Sequence, residues 1–138
     1  MQFQISVLCD AATDDRGKLN ILGAFDTIAG RQFPLVHPQC ALALRIQFGK
    51  MEEGEHHVAL HFVDDDGNPV VKPITFNAKV QVSEQSYFSS RNMVVNWQRL
   101  KFEKPGQYAV DISVDGVQQA SVPLQVIQLP QKGKPPPG

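Results

Sequence analysis

The run "CALALRIQF", Cys40 to Phe48, limits the fold of this chain more than any other stretch. Cys40, Leu42, Leu44, Ile46 and Phe48 fall at every second position, with Arg45 and Gln47 among the residues between them. A strand turns successive side chains to opposite faces, so this spacing builds one dry face; a helix would scatter the same five residues around its axis. The period recurs along the chain. Phe3, Ile5, Val7, Cys9 and Ala11 share a parity, as do Leu19, Ile21, Gly23 and Phe25 beyond the turn "DDRG". Val58, Leu60 and Phe62 alternate with His57, Ala59 and His61, and Ile74, Phe76, Ala78, Val80 and Val82 follow the turn "DDDGNP".

The second half continues the pattern with two irregularities. Met93, Val95 and Trp97 share one parity while Leu100 and Phe102 carry the other, which predicts a bulge or bend near Gln98, a point at which the strand can switch sheets. Tyr108, Val110, Ile112 and Val114 lead into "DG", a strong hairpin signal, and Ala120, Val122, Leu124 and Val126 return. Pro123 lies inside that last strand and has no N–H to donate, so the strand presents an edge there. Apolar residues recur convincingly at helical spacing nowhere. Eight or nine half-apolar strands separated by Gly, Pro and Asp turns predict an all-β fold, a two-sheet antiparallel sandwich.

At 138 residues the chain is the size of one ordinary domain, and 42% hydrophobic against 20% charged residues is a globular balance. The reading is one domain over residues 1–129 and an extended, mobile Pro-rich tail, "QKGKPPPG" and the residue before it, over 130–138. A net charge of −1 offers no basic field for a phosphate backbone, so nucleic acid is not an expected partner. The opening "MQFQISVLCD" shows no basic leader or long apolar core, and no run reaches the ~18 apolar residues of a membrane helix, so the expectation is a cytoplasmic protein without a membrane partner. Cys9 and Cys40 then read as reduced, buried structural thiols.

Two resemblances follow from longer stretches. "FEKPGQYAVDISVDGVQQASVPLQV" resembles the last hairpin of immunoglobulin-like sandwiches, which implies that fold and nothing about activity. "LCDAATDDRGKLNILGAFDTI" followed by "FPLVHPQCALALRIQF" resembles an uncharacterised bacterial family of short single-domain β proteins. That likeness implies a bacterial intracellular β domain and carries over no catalytic residue.

The polar residues give no reaction signature. His57 and His61 share a strand face but stand roughly 13 Å apart at ~3.3 Å per residue, too far to hold one metal ion together. "DDDGN" lacks the spacing of an EF-hand loop, since the twelfth position counted from Asp64 is Thr75, so ordinary turn chemistry is the better reading. No GxSxG elbow, Walker loop, HExxH or CxxC pair is present. No catalytic residue, metal or cofactor is therefore assigned. Tyr87, Phe88 and Arg91, in the polar connection "SEQSYFSSRN", are candidates for contacting a partner or ligand. Asp26, Arg31 and His37 form a second candidate rim within "KLNILGAFDTIAGRQFPLVHP", a segment whose other features all read as scaffold. The expected function is a non-enzymatic protein-binding or assembly module, with homodimerisation through sheet edges or faces possible in such a fold. The alternative is a carbohydrate- or lipid-binding domain using the loop aromatics.

Overall fold

The computed structural model describes residues 1–130, and the tail expected from residue 130 onward lies, but for that residue, outside the described residues. Nine strands are present among the described residues: β1 Gln2–Asp15, β2 Lys18–Phe25, β3 Thr27–Gly30, β4 Leu35–Gly49, β5 Gly54–Asp64, β6 Ile74–Val80, β7 Phe88–Phe102, β8 Gly106–Val114 and β9 Val117–Gln128. The described residues contain one 3-10 turn, Lys50–Glu52, and no helix long and apolar enough to cross a membrane. The strands form two sheets, one in the order β2-β1-β4-β7 and one in the order β3-β9-β8-β5-β6. All pairings are antiparallel except β3 with β9, which corrects the expectation of a wholly antiparallel fold. The chain leaves the first sheet at Phe25, crosses at Asp26 and joins the second as a short parallel edge.

The alternation of β4 does what its spacing demands. Cys40, Leu42 and Leu44 join Val58, Leu60, Phe62, Val110, Ile112, Val122 and Leu124 in the core between the sheets. Trp97 packs edge-on to Phe62, and Phe102 edge-on to both Phe62 and Tyr108. Burying a side chain of this size contributes about 1.5–3 kcal/mol, so these rows supply the main stabilisation.

Three parity readings change in the folded chain. In β1 the register against β4 shifts between Phe3 and Ile5, so Phe3 pairs with Ile46 while Val7 and Cys9 pair with Ala43 and Ala41. One extra residue flips every later side chain to the other face. Cys9 is therefore buried on the outer face of its sheet and Leu8 takes the inner position. In β7 the irregularity falls at Arg99, whose φ is +55°, and it restores Leu100 and Phe102 to the core. The strand does not switch sheets there, because β7 stays paired with β4 from Phe88 to Phe102. In β2, Ile21 is exposed instead of supplying core, and Leu19 and Phe25 are half-buried. Pro123 behaves as its chemistry requires: β3 pairs with β9 only from Gln125 onward, so no neighbour asks for its missing N–H.

The burial of Cys9, Ala41 and Ala43 on an outer face has a specific cause. An unbent β1 would carry its tip past Gln39, away from Arg45. Instead Arg45 Nη1 donates to the Gly17 carbonyl at 3.0 Å, and Asn92 Nδ2 donates to that carbonyl at 3.0 Å and to Asp14 Oδ1 at 2.7 Å. The β1–β2 hairpin thus doubles back over its own sheet and lays Ala12 and Leu19 on Cys9, Ala41 and Ala43. The fold line is at Gly23, where φ is +69° and a Cβ would run into the Asp10 carboxylate.

Candidate functional site

The six candidate residues do not form one site. Phe88 pairs with Gly49 at one end of β4, and His37 lies near the other end, twelve strand steps away, or roughly 35–40 Å. At the His37 end, Asp26 accepts Thr27 Oγ1 on Oδ1 at 2.9 Å, and its carbonyl receives the Gln125 N–H at 2.9 Å. The Arg31 carbonyl accepts Gln128 Nε2 at 3.2 Å. His37 turns its ring toward Phe25 at 5.7 Å between centroids, with its Nε2 buried. These contacts tie β3 and the segments on either side of it to β9 and set His37 of β4 against Phe25 of β2, so each of the three residues has a structural part in this corner.

The end that holds Tyr87 and Phe88 is built differently. The Lys50–Glu52 turn, the loop before β7 and the N-terminus meet there. Glu52 Oε1 accepts the Met1 ammonium at 2.7 Å and the Gly49 N–H at 3.0 Å, and these bonds hold its carboxyl below the usual carboxylate range. Glu53 Oε1 accepts the Val82 N–H at 2.9 Å, and Lys50 Nζ reaches the Glu84 carbonyl at 3.4 Å. On this pinned framework Met51 is 97% exposed, Tyr87 88% and Phe88 51%. Phe88 borders an open hollow of about 350 Å³ shared with Met1, Gln2, Gln47, Gly49 and Glu52. Phe88 and Arg91 belong to β7 and not to the preceding loop, and Arg91 Nη1 donates to the Lys79 carbonyl, closing the corner between the two sheets.

Met51 was missed by sequence reasoning, because a methionine between charged residues gives no periodic signal; only the tight turn thrusts it outward. His56 is a second residue that the alternation of β5 does not single out. Its ring stacks on Phe48 at 5.0 Å, with Nδ1 2.7 Å from Asp115 Oδ2 and Nε2 2.6 Å from the Glu52 carbonyl. Both ring nitrogens face acceptors, which suits the imidazolium, and the Glu52 carbonyl followed by Asp115 raises its pKa. Asp115 Oδ1 accepts the His57 N–H at 2.9 Å, and that bond with the His56 contact lowers the Asp115 pKa. The pair clasps the β4–β5 turn to the β8–β9 turn.

The remaining ionisable groups are tied in similar ways. His57 Nδ1 meets Asn77 Oδ1 at 3.0 Å across the β5–β6 pair. Asp64, Asp65 and Asp66 bring ligand oxygens within 4.8 Å of one another, but Asp64 Oδ1 already accepts the Asp66 and Asn68 N–H groups at 2.9 and 2.8 Å. That is the hydrogen bonding of a turn. Cys40 is pushed up to about 11, first by burial and then by the neighbouring Cys9 thiol, and burial also raises Cys9. Burial of both thiols favours the protonated form over the reactive thiolate.

Residues 4–127 match the model of a family described as "Family of unknown function (DUF6941)". No curated protein matches the chain. Among solved structures, Pseudomonas fluorescens alkylpurine DNA glycosylase AlkC bound to DNA containing an abasic site analog is similar at a TM-score of 0.46 and 11% identity, covering 74% of this chain. This chain spans only 28% of that one.

Proposed function

The chain belongs to the DUF6941 family, whose function is unknown, and from its surface we propose that it is a non-enzymatic protein-binding module that presents the Met51, Tyr87 and Phe88 end to a partner. The observation that carries this reading is the exposure of three large apolar side chains on a hydrogen-bonded framework. Aromatic rings lose little rotamer freedom on binding, methionine adapts its shape to a partner, and both are enriched at protein interfaces. The non-enzymatic part is supported by what the gathered ionisable groups are doing: His56, Asp115 and Asp64 spend their hydrogen-bonding capacity on holding turns. The finer description, a bacterial cytoplasmic immunoglobulin-like sandwich, is part of the same proposal.

A second reading, a carbohydrate or lipid site, draws on the hollow beside Phe88. Tyr87 is nearly fully exposed, which favours a flat macromolecular contact. The test is quantitative cross-linking and capture from the native cell with wild-type protein and with Met51→Ser/Tyr87→Ser/Phe88→Ser. A stoichiometric partner should be retained by the wild type and bind the triple variant at least 100-fold more weakly, a loss of about 2.8 kcal/mol or more over the three anchors together. Equal capture by both proteins defeats the reading, and saturable binding of a sugar or lipid lost in the same variant establishes the second one.

A further inference from the structure

The two sheets leave four edges, and three of them are guarded. β7 carries Arg91, Arg99 and Lys101, and the φ of +55° at Arg99 bends it. β6 has Lys79, whose carbonyl Arg91 occupies, and β3 is only four residues long. Charges, bends and brevity are the usual means by which an edge is kept from pairing with another chain. β2 is different over "LNILGAF": residues 19–25 are uncharged and contain no proline, and the one bend, at Gly23 with φ of +69°, leaves Leu19 to Leu22 straight ahead of it.

Its ladder also leaves donors and acceptors unused. The hairpin closes on Asp15 opposite Lys18 through a two-residue turn with φ of +53° at Arg16 and +83° at Gly17. Antiparallel pairing alternates, so Lys18, Asn20, Leu22 and Ala24 bond to β1, while Leu19, Ile21 and Gly23 point their N–H and C=O groups outward. Among the described residues, β2 pairs with β1 alone, and no other hydrogen bond reaches those outward groups. Beside them Leu22 is 70% exposed, and a shallow, mainly apolar hollow of about 350 Å³ lies between Ala11, Ala12, Thr13, Asn20, Ile21 and Leu22.

We infer that the outer edge of β2 is a homodimerisation edge, on which the β2 of a second copy adds in antiparallel register to give one continuous sheet across both protomers. The second copy is the occupant this surface fits, because projection and hollow lie on the same patch, as a two-fold contact requires. Residues 19–25 of two copies also meet without like-charge repulsion. This edge is separate from the Tyr87 end and stands independently of the partner reading.

Sedimentation velocity over roughly 1–200 µM, where micromolar association shows, tests it. The wild type should form a dimer at the upper end. Leu22→Lys, at an exposed position, should weaken it at least tenfold by setting like charges together. Ile21→Pro should do the same, because it removes an outward N–H and leaves the β1 ladder bonds in place. Tyr87→Ser/Phe88→Ser should dimerise as the wild type does. Hydrogen exchange on the wild type gives a readout free of substitutions: the Leu19, Ile21 and Gly23 amides should gain protection as concentration rises. A monomer throughout, loss of the dimer in Tyr87→Ser/Phe88→Ser alone, or a dimer without added protection at those amides overturns the inference.

Discussion

The outer faces of the two sheets solve the same problem in opposite ways. On β9, exposed Ser121, Pro123 and Gln125 alternate with buried Val122, Leu124 and Val126, so one face is core and the other meets water. On β4, Cys40 through Leu44 are all buried, because the β1–β2 hairpin lies on the face that would otherwise be wet. Ala41 and Ala43 are small where that hairpin approaches. A strand covered on both sides loses its polar alternation, and the loss reports a third layer.

The difference can be broken with one residue. Ala43→Lys puts an ammonium beneath the hairpin and should cost about 3 kcal/mol or more, whereas His61→Lys, on the open face of the other sheet, should stay within about 0.5 kcal/mol. Denaturant unfolding of the two variants measures the contrast, and equal losses would mean that the hairpin does not cover the first sheet in solution.

Smaller changes sharpen it. Gly23→Ala forces a Cβ into the left-handed region at the fold line, and Arg45→Ala removes a guanidinium that reaches Gln4, Gly17 and Asn92. Each should cost about 1–2 kcal/mol. Both should also speed the reaction of Cys9 with a thiol reagent while Cys40, on the inner face, stays slow. If the two thiols accelerate together, the variants loosen the whole fold and not the hairpin.

The smallest effect belongs to the His56–Asp115 clasp, on the end away from the hairpin's fold line. The folded pKa of His56 is raised, so its contribution is complete below the unfolded value of ~6.5 and fades as pH climbs through the folded one. Asp115 is lowered, so its contribution is present above ~3.9 and fades as pH falls through its folded value. The clasp is therefore tightest between about pH 4 and 6.5. Melting temperature should decline modestly from mildly acidic to alkaline pH, and His56→Gln should flatten that decline. An unchanged slope in the variant assigns it to other groups.

Much of the fold was legible in the chain. The strand periods and the two Gly-containing hairpin turns, "DDRG" and "DG", follow from steric rules that act within a few residues. The irregularity near Gln98 was visible as a parity change, but its consequence was not: a bulge, a bend and a sheet switch leave the same trace in sequence, and only the unshifted register against β4 identifies it as a bend at Arg99. In β1 even the trace was missing, since Phe3, Ile5, Val7 and Cys9 alternate without a break while the register shifts beneath them. At the candidate site, the exposure of Tyr87 and Phe88 was legible because two adjacent rings in a polar stretch cannot both follow the strand pattern. Met51 and the clasp on His56 were not, because their partners lie in other turns.

The amino-acid sequence by itself determined an all-β chain, the approximate strands and the burial of both thiols, since alternation, turn chemistry and side-chain polarity are local properties. Tertiary structure alone decided which face Cys9 occupies, that the first hairpin folds back, that β3 runs parallel to β9, and that the two groups of candidate residues stand at opposite ends. Those outcomes depend on register and on contacts between distant segments. A single inserted residue or one left-handed glycine redirects them without altering the hydrophobic pattern on either side.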